Sequence, residues 1–181
     1  MRFSPTAISG ALLIEIDAHQ DERGLFARTF CQDLFKKQGI EYNLTQCNVS
    51  LNYQKGTLRG MHCMRDPFGE AKLVRATQGR VYDVAIDLRP SSPTYLKWAA
   101  IELDAKRHNA FYIPEGCAHG FLTLEDNSEL FYQMSKSYVP GKDYGVRWND
   151  PTFNIIWPLH PLVINERDAN YSDYDEGKIC E

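Results

Sequence analysis

The sequence is 181 residues long, 43% apolar, 12% aromatic and −4 in formal net charge. That is enough chain to bury about two thirds of its unfolded surface in one core, and its Lys and Arg are too scattered to give a polyanion a docking stripe, which argues against nucleic acid. The five cysteines form no CxxC pair, the apolar run Ile8–Ile14 lacks a signal peptide's layout, and no run approaches the ~20 residues of a spanning helix, so the expectation is a soluble, cytoplasmic protein with reduced thiols, no membrane partner and one domain over residues 1–181.

In chain order, Ala11–Ile16 reads as a first strand and Asp21–Gly24 as a turn before a β-like Leu25–Phe30. The spacing of Leu34 and Phe35 against Lys36 and Lys37 allows a short helix over Gln32–Gln38, ended by Gly39. Strands are then expected at Leu44–Leu51, Gly56–Cys63, Ala71–Thr77, Arg80–Leu88, Lys97–Leu103, Ala110–Ile113, Gly120–Leu124 and Glu129–Tyr138. Short runs at this spacing predict a mostly β fold, a sandwich or jelly roll with a few short peripheral helices. In Arg80–Leu88, Asp83 and Asp87 stand four apart on one face, towards a lumen or an interface. The tail, rich in Asp, Asn and Tyr, holds one short helix near Glu166–Asn170 or none, and its residues from about 160 to 181 are expected to pack on the barrel. No repeat or linker supports a second domain.

Two segments carry candidate chemistry. Arg59-Gly60-Met61-His62 sets a cation and a Cβ-free position beside a histidine, with Lys72 in the following strand. Taken alone, a histidine such as His62 is more often a hydrogen-bonded structural residue than a catalyst, and a lysine such as Lys72 more often a solvated strand residue. Pro114-x-Gly116-x-x-His119-Gly120 makes a tight turn that delivers a histidine to a strand, and resembles the second half of the cupin signature. The first half wants two histidines one residue apart and then a glutamate; here stand His62, Met64 and Glu70. A thioether is a poor ligand for the metals such sites use, so no metal is expected, although His62, Glu70 and His119 could supply three ligands.

Further blocks occur in a fixed order: Asp21-x-Arg23-Gly24-x-Phe26, Gln46-x-Asn48-x-Ser50, Leu58-Arg59-Gly60-Met61-His62, Lys72-Leu73-Val74-Arg75, Gly79-x-Val81-Tyr82-Asp83, Pro114-x-Gly116-x-Ala118-His119, Tyr132, Tyr138-x-Pro140, Trp148-Asn149-Asp150-Pro151 and Ile156-Trp157-Pro158. Together they closely resemble the dTDP-4-dehydrorhamnose 3,5-epimerase family, from about residue 12 to 170.

The resemblance implies a cupin-like jelly roll that forms a homodimer, needs no cofactor, and acts on a nucleotide-linked 4-keto-6-deoxy sugar whose product serves surface polysaccharide. It implies that His62 is the base, that Asp168 orients and charges its imidazole, and that Tyr132 delivers a proton from the opposite face. Without the resemblance, Tyr132 in Leu130-Phe131-Tyr132 reads as a core aromatic. Lys72 would stand near the sugar O4, with His119 lining the same cavity. Arg59 and Arg23 match the diphosphate positions, Arg23 reaching across the dimer, while Gln46 and Asn48 match polar contacts and Phe26 and Tyr138 stack near the ligand. Where the family commonly has an aromatic residue and a glutamine after the histidine, this chain has Cys63-Met64, and Glu70 replaces a frequent glutamine. The nucleotide (dTDP, CDP or GDP), the sugar, and inversion at C3, C5 or both are left open by these changes. So is a cupin-like sugar-binding protein without turnover.

Overall fold

The computed structural model describes residues 1–175, in which the short alternating runs become thirteen strands and two short helices. The strands are β1 (Arg2–Pro5), β2 (Leu12–Glu15), β3 (Ala18–Asp21), β4 (Gly24–Ala27), β5 (Gln46–Asn52), β6 (Leu58–Met64), β7 (Lys72–Gln78), β8 (Arg80–Asp87), β9 (Trp98–Asp104), β10 (Ala110–Ile113), β11 (Cys117–Thr123), β12 (Ser128–Met134) and β13 (Asp143–Gly145); the helices are α1 (Gln32–Lys37) and α2 (Glu166–Ala169). Six strands pair in the order β1-β2-β10-β7-β12-β5, five in the order β13-β6-β11-β8-β9, and β3 with β4 forms a separate hairpin.

The two large sheets are antiparallel and lie face to face as a jelly-roll sandwich, as the spacing of the runs predicts. Val74, Ala76, Phe111 and Leu130 of one sheet meet Val81, Ala85, Leu103 and Phe121 of the other. Strand β8 is buried on both faces. Val81, Asp83, Ala85 and Asp87 look into the sandwich, while Val84 and Ile86 are covered from outside by Val146, Phe153, Ile155 and Trp157. The far face of the six-stranded sheet is capped by α1, through buried Phe35 against Tyr42, Leu73 and Tyr112.

Three short strands were not expected from the sequence. Strand β1 contains Pro5, β3 is exposed along its whole length and so shows no alternation, and β13 has only three residues. Two expected runs overshoot: Leu25–Phe30 stops at Ala27 and Glu129–Tyr138 at Met134. Beyond Met134, the Ser135 amide and hydroxyl bond Ala71 at the head of β7, which leaves Lys136–Tyr138 free to turn away. The tail docks through a backbone ladder, in which Leu58 N–H donates to Val163 C=O at 2.8 Å and Leu162 N–H to Gly56 C=O at 2.8 Å. The expected packing of residues 160–181 falls partly on 176–181, outside the described residues.

Asp87 shows why the acidic face of β8 is tolerated. Its carboxylate, inaccessible to solvent, accepts from Arg89 Nε and Nη2 at 2.8 Å each and from the Ser92 and Thr94 hydroxyls at 2.6 Å. Burial alone would raise its pKa, but these bonds outweigh it and bring the carboxyl from 3.8 down to about 2. A depressed carboxylate stabilises the fold above its unfolded pKa and loses that contribution as pH falls towards 2, here worth about 2 kcal/mol. Asp87→Asn should therefore lower the melting temperature by about 5 °C at pH 7 and by roughly half as much at pH 3. Calorimetry at both pH values checks this, and equal losses would discount the charge.

Candidate active site

A cavity of about 430 Å³ opens between the sheets, lined by side chains of β5, β7 and β12 on one wall and of β6, β11 and β13 on the other. His62 and Arg59, three residues apart on β6, both line it. Simple alternation would put them on opposite faces. The register explains the exception: His62 pairs with His119 and Arg59 with Phe121, so three steps on β6 span two on β11 and one residue is bulged out. Gly60 permits this. Its φ is +127°, and a Cβ there would meet the backbone of Gly120 and lie 2.9 Å from His119 C=O.

His62 Nε2 lies 2.8 Å from Asp168 Oδ1, and Asp168 Oδ2 accepts from the Gly60 N–H at 3.0 Å. Asp168 is 1% exposed. It is held by the local logic of α2, where Asn165 caps the helix by accepting the Asp168 N–H at 2.7 Å. Burial would push the Asp168 carboxyl up, but the bonds from His62 and Gly60 prevail and hold it below the ordinary carboxylate range. With Nε2 committed as donor to that carboxylate, Nδ1 is the nitrogen left with a lone pair. The side chain of His62 is 40% exposed and faces the cavity.

Tyr132 faces the same cavity from the opposing sheet, where β12 pairs with β5 and β7. Burial, reinforced by the nearby Asp83 charge, pushes its phenol well above the usual value. Its ring stands edge-on to His119 at 5.8 Å. His119 Nε2 is in turn 2.8 Å from Asp83 Oδ1, both side chains being buried. Burial raises the Asp83 carboxyl against the opposing pull of His119.

Lys72 enters from the head of β7, its Nζ 3.1 Å from Glu70 Oε1, and both line the cavity. Arg59 is steadied by Asn52, which accepts from its Nε at 2.8 Å. Asn48 lines the cavity; Gln46 does not, but binds the Asn48 side chain at 3.0 Å and accepts the Tyr138 N–H at 3.0 Å. The Tyr138 hydroxyl donates to Asp143 Oδ1 at 3.0 Å, and Asp143 also pairs with Arg167.

Nine of the eleven site residues singled out in the sequence therefore gather at or beside one cavity: His62, Tyr132, Asp168, Lys72, Arg59, His119, Asn48, Gln46 and Tyr138. Arg23 and Phe26 do not. They sit on the β3–β4 hairpin, the Arg23 side chain 84% exposed and paired with Asp21, and Phe26 77% exposed. Asp143 and Arg167, which also line the cavity, were missed; adjacency to Asp168 was the one available signal for Arg167. Among the described residues no group of three His, Cys, Asp or Glu is arranged to hold a metal ion, and no helix is long and apolar enough to cross a membrane.

Chemically, the cavity combines a carboxylate-backed imidazole, a neutral phenol from the facing sheet, and an ammonium. That set suits moving a proton off and onto carbon beside a carbonyl.

The family model described as dTDP-4-dehydrorhamnose 3,5-epimerase matches residues 5–176. A relative of that name from Methanothermobacter thermautotrophicus is 40% identical over 181 residues, covering 98% of this chain and 97% of that one. The crystal structure of the dTDP-4-dehydrorhamnose 3,5-epimerase of Elizabethkingia anophelis superposes with a TM-score of 0.94 at 31% identity, covering 99% and 98% of the two chains. That of a Legionella pneumophila 3,5-epimerase in complex with dTDP-4-keto-L-rhamnose gives 0.86 at 34% identity, covering 93% and 89%.

Proposed function

The chain belongs to the dTDP-4-dehydrorhamnose 3,5-epimerase family, isomerases on a cupin-like jelly roll, and from that premise we propose that it inverts C3 and C5 of dTDP-4-keto-6-deoxyglucose to give dTDP-4-keto-rhamnose. The ketone at C4 acidifies the hydrogens on both neighbouring carbons. His62 Nδ1 takes the proton, the C–H electron pair moves into the ring as an enolate, and its charge settles on O4. Asp168 stabilises the imidazolium, since a carboxylate favours the protonated ring. Lys72 and His119 stabilise the oxyanion, preorganised charge being a large catalytic term. Tyr132 then protonates the carbon from the other face, and the configuration is inverted.

The observation that carries this reading is that His62, backed by a buried carboxylate, and Tyr132 line one cavity from facing sheets. Arg59 is the diphosphate clamp within the chain. Arg23 and Phe26 serve the pocket of a second copy in a homodimer, which the exposed apolar side chains of Val49, Leu51 and Tyr53 at the β5 edge and of Leu25 and Phe26 on the β3–β4 hairpin suit. A reducing, cytoplasmic setting suits the free thiols of Cys31, Cys47, Cys63 and Cys117.

Incubation with dTDP-4-keto-6-deoxyglucose in heavy water, followed by NMR, tests the reaction. Deuterium should enter at both C3 and C5 with inversion, and sedimentation should give twice the chain mass. Label at a single carbon would narrow the enzyme to one centre, and no label with this nucleotide sugar would overturn the substrate assignment.

A further inference from the structure

Glu70 has a feature that the proposed proton transfers do not use. The residue is 7% exposed, its Oε1 is spent on Lys72, and its Oε2 is shut off from solvent without a hydrogen-bond partner among the described residues. A buried carboxylate oxygen without a donor is costly. Two other lining side chains, Met64 and Met134, have only thioethers to offer and no donor. Glu70 itself lines the cavity, so an occupant there lies within reach of its carboxylate. The terminal torsion of a glutamate is broad, so the carboxylate can turn its second oxygen inward while keeping the first on Lys72.

Lys72 and Glu70 thus present a donor and an acceptor side by side, 3.1 Å apart. An α-hydroxyketone presents the complement: a carbonyl that accepts beside a hydroxyl that donates. In a 4-keto-6-deoxyhexose only C3 offers such a hydroxyl, because the other neighbour of the ketone, C5, bears the methyl group and the ring oxygen. We infer that Glu70 is a specificity-determining residue that accepts from the C3 hydroxyl while Lys72 donates to O4, so that the site selects nucleotide-linked 4-keto sugars with a 3-hydroxyl over their 3-deoxy counterparts. This rests on the reading of Lys72 given under the proposed function.

The test compares dTDP-4-keto-6-deoxyglucose with its 3-deoxy analogue, following deuterium exchange at C5, a step open to both. The wild type should favour the hydroxylated sugar by about 100-fold in kcat/KM, the size of one lost hydrogen bond to a charged acceptor. Glu70→Met should bring that ratio below roughly 5, mainly by slowing the hydroxylated substrate. Glu70→Gln, which keeps an acceptor but not the charge, should leave a ratio of about 10, because charge-assisted bonds are roughly twice as strong. It also serves should the methionine variant fail to fold. A ratio still near the wild-type value in the variants, with both substrates falling in parallel, would reduce Glu70 to a structural partner of Lys72 and overturn the inference.

If the wild type exchanges neither sugar, it is the epimerase reading that fails. Calorimetric binding of the two sugars then decides the inference separately: tighter binding of the hydroxylated sugar, lost in Glu70→Met, supports it, and equal affinities overturn it.

Discussion

His62→Asn should abolish deuterium entry at C3 and at C5 together, with kcat/KM down by about 10³–10⁴-fold, the upper range for a lost general base. One imidazole serves both carbons in the proposed reaction, so the two losses must be equal. KM should change little, because Arg59 and the other polar groups of the pocket are untouched. The substitution is chosen to spare the fold: asparagine is polar and smaller than histidine, and the buried Asp168 carboxylate keeps its bond from the Gly60 N–H. A melting temperature within a few degrees of the wild type would confirm that chemistry and not folding was lost. Continued exchange at either carbon would show that another group, such as His119, removes that proton.

Tyr132→Phe should separate the two halves of the reaction. The base remains, so enolate still forms and deuterium still enters. With no phenol on the far face, His62 returns the label to the side from which it took the proton. The expected outcome is exchange with retained configuration, and inverted product down by about 10²–10⁴-fold. Burial pushes this phenol well above its ordinary pKa, so it stays protonated throughout the neutral range and its own ionisation should add no limb to the pH profile below about pH 10. NMR reads both isotope content and ring configuration in a single experiment. Inversion at the wild-type rate, or the loss of exchange along with it, would remove Tyr132 from its assigned step.

Much of this was legible in the chain because the signals were local. The alternation in β8 announced a strand with acidic residues on its lumen face, and Asp83 and Asp87 do look inward, one to His119 and the other to Arg89. The Pro114–Gly116 turn likewise delivered His119 to β11. Other features depend on geometry that spacing cannot encode. Arg59 and His62 share a wall only through the bulge that Gly60 permits. Asp168 meets His62 across 106 residues of sequence, and only the family resemblance chose it among the tail's many carboxylates. The Tyr138–Asp143–Arg167 contacts join a loop, a three-residue strand and a four-residue helix, none long enough to show a period. The pairing of Glu70 with Lys72 was also invisible: the substitution could be seen, but not that both charges would be buried together.

The carboxylate behind His62 comes late. Both sheets are complete by Gly145, whereas Asp168 lies in α2, some twenty residues further on. Every strand that carries His62, Lys72 and Tyr132 therefore precedes, in the chain, the carboxylate that backs the imidazole. A chain ended ahead of residue 165 would thus keep every strand of both sheets and lack the counter-ion of the proposed base.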